Sequence, residues 1–306
     1  MLNCFSMAVN PIFQRLALLA GRETLDALDG ARVIVFGVGG VGSWCAEALV
    51  RSGIGRVAIV DSDMVCITNI NRQAQATTAT VGEFKTEALR KRLLEINPRC
   101  EVIPYSRVFS RESAEEFGIE KADYVIDAID SLTNKLDLIE YCGNARAPLF
   151  SSMGMVQKLD PTRLKTAGIW ETEGCPLARL VRAGLRKRNF TGSFTVVYSS
   201  ERLPLSAGEE AACGSARCLC PPRTRESCAA YGAGDSRAVE WCSSKKIING
   251  SAVTVTAAAG MILASLVLRD IYSRCHGAAG NGGTVNTETV SVPAASLSSG
   301  GLSAHG

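Results

Sequence analysis

The stretch that most constrains this chain is ARVIVFGVGGVGSWCAEALVR, from Ala31 to Arg51. Ala31 to Phe36 is a short, β-branched run and reads as a buried strand. Gly37, Gly39 and Gly42, with Gly40 between them, spell G-x-G-x-x-G, and Ser43 to Arg51 reads as a helix closed by Gly53 and Gly55. Glycines in that place let the backbone turn tightly and come up against phosphate oxygens. The positive end of the helix dipole then favours the anion. Asp61 follows the next strand (Val57 to Val60), 19 residues after Gly42, where it can accept hydrogen bonds from ribose hydroxyls. NAD, FAD and ATP all suit such a turn.

The alternation continues beyond it. A helix is expected over 10–30, with apolar positions at Leu16, Leu19, Leu25 and Leu28. Glu83 to Ile96 reads as an amphipathic helix stopped by Asn97-Pro98, and Leu132 to Ala145 as another helix. Glu101 to Pro104, Tyr124 to Ile129 and Pro148 to Ser152 read as strands. The fold class is therefore α/β, a mostly parallel sheet with helices on both faces. A single domain is expected over 10–275, with a nucleotide core at 31–153 and a C-terminal part at 154–275. Large aliphatics thin out over about 207–236, which predicts an insertion without packed structure, and 277–306 reads as a disordered tail. The uncharged run Ile247 to Leu268 is long enough to span a bilayer. Its alanine, glycine and threonine content favours a buried core helix instead.

The loop after Asp61 narrows the nucleotide. DSDMVCITNINRQ brings Asp63, Asn69, Arg72 and Gln73, and Lys85 follows at the start of the next helix. A guanidinium and an ammonium converging on the phosphates suit a triphosphate attacked at its α-phosphorus, because they neutralise charge growing on the transferring group and the departing pyrophosphate. Hydride transfer develops no such charge. YVIDAIDS then supplies Asp127 and Asp130 at a strand end, and one of them can hold Mg²⁺ against the phosphates. Asp130-Ser131 also reads as the cap of the helix from Leu132, and the two roles are compatible.

Taken in order, GVGGVGS, DSD, NINRQ, GEFKTEALRKRLLEINP and VIDAIDS resemble the adenylation core shared by ubiquitin-activating-type enzymes and their bacterial relatives in thiamine and molybdopterin synthesis. The resemblance implies a Rossmann-like, ThiF-type adenylating fold that uses ATP and Mg²⁺. It implies Arg72 on the triphosphate, Lys85 on a phosphate, Asp130 on the metal and Asp61 on the ribose. The Gly37–Gly42 turn would run along the nucleotide, and Asp63, Asn69, Gln73 and Ser131 would complete the ATP site. Arg72, Lys85 and Asp130 are the expected catalytic residues. Members are commonly homodimers in which an arginine of the first helix reaches the partner's site; Arg15 occupies that place.

Two branches of the family compete. Enzymes that activate a ubiquitin-like or sulfur-carrier protein usually carry two C-x-x-C zinc knuckles, and the twelve cysteines here contain no such pair. The other branch, the tRNA threonylcarbamoyladenosine dehydratases, resembles this chain in LLAGRETLDAL, TNINRQ, VIDAIDSLTNK, DPTRLK, CPLARLVRAGLRKR and VVYSSERLP. That resemblance implies adenylation of a carboxylate on a tRNA nucleoside, followed by ring closure and loss of AMP. Arg179, Arg182, Arg186, Lys187 and Arg188, with no acidic residue among them, would face the RNA backbone. A solvated helix face explains the same run, and an acidic carrier or sulfur-transfer protein could use it too. Net charge, 33 basic against 30 acidic residues, does not discriminate.

Departures are visible. Cys175 stands where the dehydratase pattern has aspartate and is read as a neutral exchange. A cysteine that bacterial relatives carry before the last helix is replaced by KKIINGSAVTV, with Cys242 out of register. Cys213, Cys218, Cys220 and Cys228 are spaced too irregularly for a zinc site. The opening MLNCFSMAVNPIFQRLALLAG lacks the order of a signal peptide. A cytoplasmic enzyme is expected, with a mitochondrial or outer-membrane-associated location as the alternative.

Overall fold

The computed structural model describes residues 9–203 and 250–277. The expected insertion at 207–236 with its four cysteines, Cys242 and the expected tail beyond Gly277 lie outside them. Among the described residues seven strands form one sheet. They are β1 (Arg32–Phe36), β2 (Arg56–Val60), β3 (Glu101–Tyr105), β4 (Tyr124–Asp127), β5 (Leu149–Ser152), β6 (Leu164–Gly168) and β7 (Thr195–Ser199). Their order across the sheet is β3-β2-β1-β4-β5-β7-β6. Every neighbouring pair is parallel except β6 with β7. The helices are α1 (Gln14–Gly30), α2 (Gly42–Arg51), α3 (Lys85–Ile96), α4 (Leu132–Ala145), α5 (Pro176–Lys187) and α6 (Val253–His276).

Alternation along β1 builds two cores. Val33 and Val35 pack with α1, α2, α3 and α6, whereas Ile34 and Phe36 pack with α4 and α5. A strand covered on both faces needs such a continuous apolar run. The order reverses between β1 and β4, which opens a crevice beyond their carboxyl ends. The glycine turn leaves β1 there, and the Asp127–Asp130 segment leaves β4 beside it.

Several expectations change in detail. The first helix breaks at Gly21, whose φ of 80° and ψ of 164° leave helical space. Its second half buries Leu25 and Leu28, but Leu19, expected in the core, is 80% exposed beside Leu18 at 85%. β4 ends at Asp127 rather than Ile129, because the Asp127 carboxylate takes the Ile129 amide out of the ladder. β6, which DPTRLK enters, is an antiparallel edge strand that periodicity did not reveal.

The apolar segment near the C-terminus is a core helix. α6 has the length and composition to cross a membrane. Its Val255, Ala259, Leu263, Leu266, Val267 and Ile271 are nevertheless buried with α1 and α2 in the first core. At its far end the His276 ring lies against the Gly21 break, with Nε2 2.9 Å from Thr24 Oγ1 and 3.1 Å from the Ala20 carbonyl.

Candidate functional site

The glycine turn explains its own sequence. Gly37 has φ of 81°, and a Cβ there would stand 2.7 Å from the Ala128 carbonyl oxygen; one on Gly42 would stand 1.9 Å from the Gly37 oxygen. These two glycines are required by the fold. Gly39 differs, since a Cβ would meet only Gln73 Nε2, at 3.9 Å, so its face is open to a ligand. Gly40 lies beneath the Arg72 side chain, whose Cγ would be 3.3 Å from a Cβ there, and beside Thr256 of α6.

Asp61, at the end of β2, closes the turn. Its Oδ2 accepts the Val38 amide at 2.9 Å and its Oδ1 the Asp63 amide at 2.9 Å. Lys85 begins α3 and is buried. Its Nζ is 2.6 Å from Asp63 Oδ2 and 3.6 Å from Asp61 Oδ1. Burial alone would lower the lysine's pKa; Asp61, Asp63 and the nearby Asp130 outweigh it and raise the pKa above its ordinary value. Burial in turn pushes the Asp61 carboxyl up. Lys85 is therefore a fixed cation held beside an open glycine turn.

Arg72 is anchored by its backbone, whose carbonyl accepts the Trp44 indole N–H at 2.9 Å. Its Nη1 donates to the Thr68 carbonyl and to Asn71 Oδ1, both at 2.9 Å. Gln73 is buried, with its amide nitrogen next to Gly39. Asn69 is also buried, but its Oδ1 accepts the Cys66 amide at 3.0 Å and so shapes the loop.

The two carboxylates after β4 separate. Asp127 is fully buried and paired with Lys135, whereas Asp130 is exposed at the head of α4. Of the two, only Asp130 is open to a solvent-borne ion. Ser131 is the N-cap of α4, yet its side chain makes no capping hydrogen bond, so the expected capping role is not realised through it. Among the described residues no group of three or more His, Cys, Asp or Glu side chains could hold a metal ion. One carboxylate fits Mg²⁺ shared with phosphates, since that ion commonly takes one or two protein carboxylates and completes its shell with phosphate oxygens and water.

The basic run on α5 divides. Arg179, Arg186 and Lys187 are exposed, and the Arg186 guanidinium lies 5.5 Å from the Trp170 ring centroid. Arg182 instead bonds the Thr172 carbonyl and hydroxyl, and Arg188 bonds Asp137 at 2.6 Å and Glu140 at 3.1 Å. Those two are engaged within the fold, whereas the other three are more exposed. Arg15 is exposed on α1 ahead of the Gly21 break. Cys175, the buried N-cap of α5, packs near Gly154, in keeping with a neutral exchange.

Sequence reasoning missed Gln75 and Lys135. Gln75 is buried and donates to the Val38 carbonyl at 2.9 Å, tying the arginine loop to the glycine turn. Lys135 is a charge on the stripe formed by Leu136 and Ile139, which was the available signal for a buried partner.

The ThiF family model matches residues 13–287. The chain is 45% identical over 189 residues to the tRNA threonylcarbamoyladenosine dehydratase of Bacillus subtilis (strain 168), covering 62% of this chain and 74% of that protein. It is 34% identical over 224 residues to the enzyme of the same name from Escherichia coli (strain K12), covering 71% and 84%. Against tRNA threonylcarbamoyladenosine dehydratase 2 of Saccharomyces cerevisiae it is 39% identical, but the match spans only 41% of that longer protein. The crystal structure of the E. coli dehydratase in complex with ATP superposes with a TM-score of 0.72, at 28% identity, over 88% of this chain and 99% of that one. The fold, the nucleotide turn and these matches agree, and the chain belongs to the ThiF family.

Proposed function

We propose that this protein is an ATP-dependent tRNA threonylcarbamoyladenosine dehydratase. The observations that carry the reading are two cations beside one glycine turn: Lys85, buried between Asp61 and Asp63 where Asp61 closes the turn, and Arg72, whose side chain lies against Gly40. That arrangement suits transfer of an adenylyl group. The matches to dehydratases from two bacteria support the substrate class.

In this reading the substrate's carboxylate oxygen attacks the α-phosphorus of ATP and pyrophosphate departs. A nucleophile of the same side chain then attacks the activated carbonyl, a ring closes, and AMP leaves with the carboxylate oxygen. The nucleoside loses one water in total, its oxygen to AMP and its two hydrogens as protons. Lys85 and Arg72 stabilise negative charge in the first step. Asp130 would hold Mg²⁺, which supplies charge neutralisation at the phosphates when bound. Arg179, Arg186 and Lys187 provide phosphate contacts for the tRNA. The exposed Ile12, Leu18 and Leu19 of the N-terminal segment suit coverage by a second copy of the chain, which would carry Arg15 towards the partner's site.

Nucleoside mass spectrometry tests the reading. Purified protein is incubated with Mg-ATP and tRNA bearing threonylcarbamoyladenosine. Loss of one water from that nucleoside, with AMP released and both abolished in Lys85→Ala, is the expected result. An unchanged nucleoside, with pyrophosphate exchange stimulated by a small ubiquitin-like protein, would move the chain to the carrier-activating branch.

A further inference from the structure

A second charged pair lies behind the site. Lys135 of α4 and Asp127 of β4 are both fully buried, with Nζ 2.7 Å from Oδ2. Ser151 Oγ donates to the same Oδ2 at 2.6 Å, and Lys135 also reaches the Ser152 carbonyl at 3.1 Å. The other carboxylate oxygen, Oδ1, accepts the Ile129 amide at 3.0 Å. One oxygen is thus committed to the cation and the other to the backbone that leads into Asp130. The Ala128 amide bonds the Phe36 carbonyl at 2.8 Å, and Gly37 packs against the Ala128 oxygen. The pair therefore fixes a segment shared by the glycine turn and the exposed carboxylate.

Stability alone does not account for such a pair. Two charges taken out of water are often no better than apolar side chains of the same volume. We propose that Lys135 and Asp127 are positioning residues, which hold the Ala128–Asp130 segment so that the Asp130 carboxylate meets the metal of a bound metal–nucleotide. Neither touches the nucleotide; they act through Asp130. The inference rests on the ATP reading above. Loss of the cation leaves the buried carboxylate uncompensated, loosens its bond to Ile129 and lets Asp130 drift. Metal-dependent binding then weakens while metal-free ATP binding changes little.

The test compares wild type, Asp127→Asn and the double variant Asp127→Asn/Lys135→Met, which removes both charges together. The thermal shift given by ATP in EDTA is measured beside the further shift on adding Mg²⁺, and half-saturating Mg²⁺ is read from the second. Orienting partners of a ligating group typically change metal affinity 10- to 100-fold, so half-saturating Mg²⁺ should rise about tenfold with the EDTA shift preserved. Ile139→Val, a core change on the same helix, should lower the melting temperature without moving the Mg²⁺ requirement. If Asp127→Asn, which leaves Lys135 buried without its counter-ion, fails to fold, the double variant carries the comparison. An unchanged Mg²⁺ requirement in a folded variant overturns the positioning role and leaves adenylation standing. No ATP shift in wild type overturns the adenylation reading, and this inference with it.

Discussion

Gly260 of α6 lies against the carbonyl of Val41 at the entrance to α2, so closely that a Cβ on it would stand 2.5 Å from that oxygen and 2.9 Å from the Cys45 amide nitrogen. The C-terminal helix is thereby seated on the first turn of the helix that begins in the nucleotide loop. Gly260→Ala must push the helices apart, and overpacking of this kind costs about 1–3 kcal/mol. Denaturant unfolding should show that loss. Calorimetric titration should also show weaker ATP binding, because Thr256, one turn earlier, flanks Gly40. Unchanged stability would mean that α6 can slide without cost.

The contact also marks a limit of the sequence. The G-x-G-x-x-G motif makes Gly37 and Gly42 legible, since their roles are local: a positive φ and a tight turn. Gly260 sits in an alanine-rich stretch where nothing local distinguishes it from Ala257 or Ala258. Its role exists only once α6 meets α2. Lys85 and Asp61 could be placed from spacing, because each stands at the end of an element facing one crevice. The separate fates of Asp127 and Asp130 could not, because burial by Lys135 and Ser151 depends on how α4 and β5 pack. Arg182 and Arg188 read like their neighbours on charge, yet their partners Thr172, Asp137 and Glu140 lie on other elements.

Arg72 offers a clean separation of chemistry from binding. Arg72→Ala loses the side-chain bonds to Thr68 and Asn71 but keeps the Trp44 bond to its backbone, so the loop should retain its main anchor. Turnover should fall on the order of a thousandfold, as for an arginine that stabilises charge in phosphoryl transfer. Single-turnover AMP release and equilibrium ATP binding, measured on the same preparation, check this. A variant that turns over like wild type would remove Arg72 from the mechanism.

Glu47 gives the fold an acid limit. It is a buried residue of α2, 2.6 Å from Arg92 of α3 and 2.8 Å from Arg51. Burial alone would raise its pKa, but the hydrogen bonds and charges of Arg92 and Arg51 outweigh that and hold the carboxyl below its ordinary 4.5. A pKa depressed on folding contributes stability above the unfolded value, and that stability is lost as pH falls through the folded one. Glu47→Gln should therefore cost about 2 kcal/mol at pH 7, the worth of hydrogen bonds between charged groups. The gap to wild type should narrow as pH drops below about 4.5. Urea unfolding at pH 7 and pH 4 distinguishes this from a cost that does not vary with pH.

The split on α5 predicts two kinds of arginine variant. Arg179→Ala, Arg186→Ala and Lys187→Ala should each weaken tRNA binding and reduce the salt slope of log K by about 0.7–0.9. Arg182→Ala and Arg188→Ala should instead lower the melting temperature and leave that slope unchanged, since their guanidinium groups already serve the fold. Filter binding over a salt series, with melting curves alongside, checks both. Slopes unchanged from wild type in all five would return the run to a merely solvated face, and equal reductions in all five would restore the five-residue RNA face.

The break at Gly21 leaves the first half of α1 presenting Leu18 and Leu19 outward, 85% and 80% exposed. Two adjacent leucines this open, with Ile12 of the preceding turn itself 50% exposed, leave apolar surface uncovered, and exposed apolar patches commonly mark contact surfaces. If a second copy covers them, a carboxylate placed there would be buried without a partner, and such burial is costly. Wild type should sediment as a dimer at micromolar concentration and Leu18→Glu as a monomer with a similar melting curve in the absence of ATP. Arg15 adds a sharper readout. If it serves the partner's site, mixing inactive Arg15→Ala with inactive Lys85→Ala should restore activity in mixed dimers, up to about one quarter of wild type, since half the dimers are mixed and each holds one complete site. A Leu18→Glu variant that remains dimeric would move the interface away from these leucines, and a mixture with no recovery would place each site within a single chain.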